Sequence, residues 1–489
     1  QRRLSRTSAR KLFLDCRQVQ GEARWTSVHN AAHGLSMRLA KRRQFEKGAK
    51  GVSSHALRRY TLQVMRTLLK NIKGLVGAFE EVPRDVAGLE MSNFPILYNA
   101  WLAIEDGVIV DFGSMDDFPG ILDWSGLNIV DAEGRWVLPA WCDSHTHTVY
   151  AHNRSEEFLM RLEGMTYHEI AERGGGILNS AKVLQAMSED ELFDDALKRV
   201  HAAIAAGVGA MEIKSGYGLT LDAERKMLRV IKRLKEAVPI PIKATFLGCH
   251  AVPAEFEDAA AYTKHVVEEM LPTFARDGLI DYVDAFCEKG YFGVDETRAL
   301  LIASNALGIK GKVHVNQFNE IGGINLCINQ KALSVDHLEV CGAEVIQRLV
   351  EDYKGIEKGK GHPTYPVALP GCSHFLGIPF APGRALIDAG LPLALATDHN
   401  PGSAPSGDMT MVVRLASLKM NLLPREAIAA ATLNGAAAME LSHEVGAIGR
   451  GHRANLILSH PMEGLQHMAY RFTDAVVDKV FVNGEIWEG

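Results

Sequence analysis

His145 and His147 stand one residue apart where an apolar run ends, in Trp-Val-Leu-Pro-Ala-Trp-Cys-Asp-Ser-His-Thr-His over 136–147. In a strand, residues i and i+2 point to the same face, so the two imidazoles can converge on one metal ion. A bare His-x-His is a weak signal by itself. It gains weight from His314, His337 and Asp398, each at the end of another short apolar run. Imidazoles and carboxylates are costly to bury unpaired, so packing alone does not account for this recurrence. It marks a metal site at the mouth of a barrel, where chemistry collects at the C-terminal ends of the strands.

Eight strand-like apolar runs can be read at 137–142, 208–214, 241–248, 281–287, 312–317, 332–337, 365–370 and 391–397. Helical patterns separate several of them. The clearest is Leu221 to Val238, with Met227, Leu228, Ile231 and Leu234 on one face. This alternation predicts an α/β fold, a closed (β/α)8 TIM-like barrel over 138–444, with a doubly wound open sheet as the alternative. Other polar groups fall at the strand ends: Lys214-Ser-Gly-Tyr217, Gly248-Cys-His250, His314 with Gln317, and Asp398-His-Asn400-Pro-Gly402. Gly174-Gly175-Gly176 matches neither a dinucleotide fingerprint nor a P-loop and reads as a mobile loop near the site.

The two ends of the chain read as β structure. Residues 99–113 form a hairpin around Glu-Asp-Gly, and 454–458 and 477–487 carry further strand runs with an Asn-Gly turn. A small composite β domain built from 65–137 and 445–489 is therefore expected. Asn455 lies there and should matter only for packing.

The chain has 489 residues, 47% hydrophobic and 23% charged, an ordinary globular balance. No apolar stretch is long enough for a membrane span, and no secretory signal is visible. Seven dispersed cysteines without a Cys-x-x-Cys suggest reduced thiols in the cytoplasm. The net charge of −6 conceals an asymmetry: residues 1–64 hold 15 Lys and Arg against Asp15, Glu22 and Glu46, leaving −18 for the remainder. This basic leader could be a nucleic-acid-binding arm or a transit peptide. It is read instead as disordered or non-native sequence, because an organised segment opens at Met65.

The motifs extend the pattern: Asp143-Ser-His-Thr-His with Asn153-Arg154, Gly175-Gly-Ile177, Lys214-Ser-Gly-Tyr-Gly-Leu219, His314 with Gln317, Asp336-His-Leu-Glu339 and Thr397-Asp-His-Asn-Pro-Gly402. Together they resemble the amidohydrolase superfamily, and within it the imidazolonepropionases of histidine degradation. The resemblance runs from about Met65 to the C-terminus.

It implies one divalent ion, zinc or iron, held by His145, His147, His314 and Asp398, with no lysine bridging a second metal. Asp398 would take a proton from water attacking the ring carbonyl of 4-imidazolone-5-propanoate. His337 would orient that water or stabilise the oxyanion, and ring opening would give N-formimidoyl-L-glutamate. His250 and Tyr217 resemble ring-contacting residues. Arg154 suits the propionate, since a guanidinium can hold a carboxylate by two parallel hydrogen bonds; a surface ion pair with Glu156, Glu157 or Glu163 is the alternative. Asn400, Gly402 and Ser403 would line the pocket.

Related hydrolases often carry Glu where Gln317 stands. Gln cannot titrate, so it would anchor substrate rather than carry a proton. The expected partners are a small-molecule substrate and a second subunit in a homodimer, with no nucleic acid and no membrane. A deaminase or other cyclic amide or amidine hydrolase, or a non-catalytic scaffold, are the competing functions. The basic connection 353–364 looks extended, and His362 within it reads as a solvated loop residue.

Overall fold

The computed structural model describes residues 65–165, 169, 175–356 and 361–489. The basic leader and Gly174 lie outside the described residues.

Two eight-stranded sheets organise the chain. The first takes β1 (Arg66–Val76), β2 (Ile96–Glu105), β3 (Val108–Ser114), β4 (Leu127–Asp131) and β5 (Trp136–Pro139) from one end of the described chain. From the other end come β14 (Leu456–Ser459), β15 (Val477–Val482) and β16 (Glu485–Ile486). Their order is β16-β15-β14-β5-β1-β2-β3, with β4 paired to β1. Local turn chemistry sets both hairpins. Asp106 and Gly107 have φ of 47° and 81°, and Asn483 and Gly484 have 48° and 78°. Two consecutive positive φ values give the type I′ geometry that matches strand twist, and Asx-Gly tolerates it.

The second sheet is parallel: β6 (Trp141–Asp143), β7 (Val208–Lys214), β8 (Ile242–Cys249), β9 (Tyr282–Cys287), β10 (Lys310–Val315), β11 (Ser334–His337), β12 (Tyr365–Ala368) and β13 (Ala394–Leu395), in consecutive order. This is the expected α/β barrel with its composite β domain. The strands are wholly or almost wholly buried, as parallel strands must be. Helix Leu221–Ala237 follows β7; Thr220 caps its first turn by accepting from Ala223 N at 3.3 Å. Its Met227, Leu228, Ile231 and Leu234 join the core around the barrel.

One sequence run divides differently. The apolar stretch 137–142 is two strands, not one. Trp136 and Leu138 point into the barrel-side core while Val137 enters the core of the β domain. At Ala140 the chain changes sheets: Ala140 N donates to Asn455 O at 2.9 Å, and Trp141 N donates to Gly207 O at 2.8 Å. Periodicity cannot reveal a change of partner inside a continuous apolar run. Asn455 marks this junction: its Nδ2 donates to Gly209 O and its Oδ1 accepts from Asn483 N.

The seam between β13 and β6 is closed by residues beyond both strands. Asp398 N donates to His145 O at 3.0 Å, and His147 N donates to His399 O at 2.9 Å. Thr397 Oγ1 donates to Asp143 Oδ2 at 2.6 Å. The backbone that completes the barrel therefore carries three of the candidate metal ligands, His145, His147 and Asp398, while His314 lies on β10.

Candidate metal centre

His145, His314, His337 and Asp398 offer ligand atoms that all lie within 4.8 Å of one another. His147 joins them, with Nε2 at 3.3 Å from His314 Nε2 and 3.4 Å from Asp398 Oδ1. All five side chains are buried.

Hydrogen bonds behind the cluster fix which nitrogens face it. His145 Nδ1 donates to Asp336 Oδ2 at 2.6 Å, and His314 Nδ1 donates to Asp284 Oδ2 at 2.7 Å. Each ring then presents an unprotonated Nε2, and these two nitrogens are 3.1 Å apart. Asp398 Oδ1 lies 3.5 Å from His145 Nε2. Lone pairs facing lone pairs in a dry interior repel one another; a cation among them removes that conflict. The donor set, imidazole with one carboxylate, suits zinc or iron(II).

Electrostatics favour the same protonation pattern. Burial, then the neighbouring Lys214, pushes the His145 imidazolium well below its usual range. Burial lowers His314 despite Asp284. Burial would raise Asp398, but the His147 hydrogen bond and the charge of His337 hold it at about 2. His337 moves upward: burial opposes the shift, and Glu339 and Asp398 outweigh it.

Lys214 supplies the anchor. Its Nζ is fully buried, 2.8 Å from Glu212 Oε1, 2.9 Å from Asp284 Oδ2 and 3.9 Å from Asp336 Oδ2. Burial would discharge it, but these carboxylates keep it an ammonium. One cation thus holds both carboxylates that orient His145 and His314. Sequence reasoning missed this layer. Its trace is a period-two placement of polar residues inside apolar strands: Glu212 and Lys214, Lys312 and His314, Ser334 and Asp336.

Backbone strain concentrates here. Asp398 has φ 57°, and His337 and Leu338 have 93° and 71°. Non-glycine residues held at positive φ cost about 1–3 kcal/mol each, which the surrounding hydrogen bonds must offset.

A cavity of about 410 Å³ opens beside the cluster. His147, His314, His337 and Asp398 form its floor, and Arg154, Tyr217, His250, Gln317, Asn400, Gly402 and Ser403 line it. Every residue expected to contact substrate is therefore brought to one cavity. His145 is the exception among the sequence-picked ligands, lying behind the floor. His250 Nδ1 donates to Gly216 O at 2.9 Å, and burial, then His147 and His314, pushes its imidazolium down to about 3. It is a neutral ring with Nε2 as an acceptor. Asn400 Oδ1 accepts from Gly402 N at 2.8 Å and Ser403 N at 2.7 Å, which shapes the loop after β13. Arg154 lines the cavity and also donates through Nε to Glu157 Oε2 at 2.8 Å. Pocket and ion pair, weighed as alternatives from sequence, coexist. The apolar wall of Phe158, Ile177, Phe286 and Tyr291 was not read from sequence. His362 is half-buried rather than solvated, with Nδ1 3.0 Å from the Pro363 carbonyl.

The amidohydrolase family model matches residues 136–487. Curated relatives sharpen the placement. A protein named imidazolonepropionase from Flavobacterium johnsoniae is 51% identical over 423 residues, covering 86% of this chain and all of that one. The chain belongs to the imidazolonepropionase branch of the amidohydrolases. Another imidazolonepropionase, from Geobacillus kaustophilus, is 40% identical over 386 residues, 78% of this chain and 88% of that one. Among solved structures, an adenosine deaminase from Xanthomonas campestris with bound zinc superposes with a TM-score of 0.61 at 14% identity, covering 86% of this chain and 92% of that one. An E. coli guanine deaminase gives 0.59 at 13% identity, covering 86% and 99%. These two share the fold. In this chain the amidohydrolase barrel holds a buried Lys214 behind the candidate metal ligands.

Proposed function

We propose that the protein hydrolyses 4-imidazolone-5-propanoate to N-formimidoyl-L-glutamate, the ring-opening step of histidine degradation. The observation that carries this is one cavity lined both by the His147, His314, His337 and Asp398 cluster and by Arg154. A flat ring with a charged tail needs both.

One ion, zinc or iron, would be held by His145, His147, His314 and Asp398. When bound, it supplies Lewis-acid polarisation and lowers the pKa of water. Asp398 accepts the proton of the attacking water, a role for which its low pKa keeps it ionised. His337, tilted upward in pKa, donates toward the oxyanion as the ring carbonyl becomes tetrahedral. The ring C–N bond then breaks as Asp398 passes the proton taken from water to the departing nitrogen. His250 accepts a ring N–H, and Tyr217 packs beside it, ring centroids 5.3 Å apart. Gln317 cannot shuttle protons and anchors the ring by hydrogen bonds. Arg154 binds the propionate.

Among the described residues no helix is long and apolar enough to cross a membrane. We place the protein in the cytoplasm as a homodimer; six unpaired cysteines among the described residues support a reducing compartment.

The test is direct. Purified protein given imidazolone propionate should consume the ring absorbance, stop after chelation, and recover with zinc or iron(II). No turnover by metal-loaded protein overturns the assignment.

A further inference from the structure

We propose that His337, Glu339 and Cys372 form a second, inhibitory site for a thiophilic divalent ion, adjoining the four-ligand centre through His337, which belongs to both clusters. The three donors lie within 4.8 Å of one another, and all three residues are buried. Zinc bonds of about 2.0–2.3 Å place tetrahedral donors roughly 3.3–3.7 Å apart, so side-chain adjustments of about 1 Å close the site.

An orphaned atom supports it independently. Glu339 Oε1 accepts from His337 Nδ1 at 3.3 Å and from Ser373 Oγ at 2.9 Å, whereas Oε2 is buried without a hydrogen-bond partner. A buried carboxylate oxygen with nothing to accept from is costly, and a cation relieves it. The sulfur of Cys372 accepts from Gln317 Nε2 at 3.3 Å, just behind the cavity wall. An imidazole, a carboxylate and a thiolate select zinc, cobalt or iron over magnesium or calcium. As the metal binds, the Cys372 thiol proton and the Nδ1 proton that His337 gives to Glu339 both leave to solvent, so a thiolate and a neutral imidazole face the ion. The resulting dication with one thiolate and one carboxylate is a neutral buried unit.

Occupancy would capture His337 and pull on Gln317, so turnover stops. That consequence rests on the reading of His337 given above; the binding itself does not. Protein holding one equivalent of zinc is titrated with cobalt(II). A thiolate-to-cobalt charge-transfer band in the near ultraviolet is expected at the second equivalent, since the four-ligand centre contains no sulfur. Cys372→Ala should abolish the band. In parallel, excess zinc should inhibit wild-type turnover, and Cys372→Ala should need at least about tenfold more zinc for the same inhibition. Cys372→Ser, closer in volume, repeats both measurements if the alanine variant folds poorly. No second equivalent, or a band and inhibition unchanged in both variants, overturns the site. A protein without turnover on imidazolone propionate would still be judged by the cobalt band.

Discussion

A Cβ added to Gly402 would lie 2.3 Å from Arg154 Nη1, so the missing side chain is what lets the guanidinium cross the loop after β13. Gly402→Ala should displace Arg154 and raise KM about 10–100-fold with a smaller change in kcat, because the lost contact binds ground and transition states alike. Steady-state kinetics decide this, and an unchanged KM would remove Arg154 from the substrate carboxylate. Asp398 and Gln317 separate proton transfer from anchoring. Asp398→Ala should cost at least about 10²–10⁴ in kcat, whereas Gln317→Glu should keep substantial activity. Asp398→Ala with wild-type turnover would sink the proposed mechanism. At this scale the sequence was informative about donors. Residue type and strand-end position pointed to His145, His147, His314, His337 and Asp398, which the fold brings together; which four of them would hold the ion came from the family resemblance. The sequence could not say that Arg154 both lines the cavity and pairs with Glu157, since a guanidinium's partners depend on where a loop passes.

Among the strands, the decisive feature is the charged interior behind the ligands. Lys214 on β7 reaches Asp284 on β9 and Asp336 near the end of β11, and each carboxylate holds one imidazole. Replacing Lys214 by Met keeps the length and removes the cation shared by Glu212, Asp284 and Asp336. Metal affinity should fall about 10–100-fold, and the fold should lose about 3–5 kcal/mol. Competition with a chromophoric chelator on protein shown folded by circular dichroism measures the first effect. Metal affinity equal to wild type would mean that Asp284 and Asp336 hold their histidines unaided. The strands themselves were legible from their apolar runs, except at 137–142. There the two sides of Ala140 hydrogen-bond to different sheets, a choice made by partners rather than by local pattern.

For the whole molecule, the barrel interior couples stability to pH. Burial, then the charge of Arg199, pushes the His399 imidazolium down from 6.5 to about 4. The unfolded chain takes up that proton near 6.5 and the folded chain only near 4, so the unfolded state binds more protons in between. Stability is therefore complete above about 6.5 and declines as pH falls toward 4. His250, held at about 3, acts in the same direction. Between about pH 7 and pH 5, His399 alone should account for roughly 2 kcal/mol of lost stability. Urea titrations at both pH values should show a smaller loss in His399→Phe than in wild type. An equal loss would assign the acid sensitivity to other groups. The sequence by itself determined what is local. Period-two and period-3.6 apolarity set the alternating elements, Asp-Gly and Asn-Gly set the hairpins, and short motifs set the family. The tertiary structure decided what is distant. Asp336 meets His145 across 191 residues, and Thr397 meets Asp143 across 254. Those pairings exist only once the barrel closes, because no local period records which strand ends a closed sheet brings together.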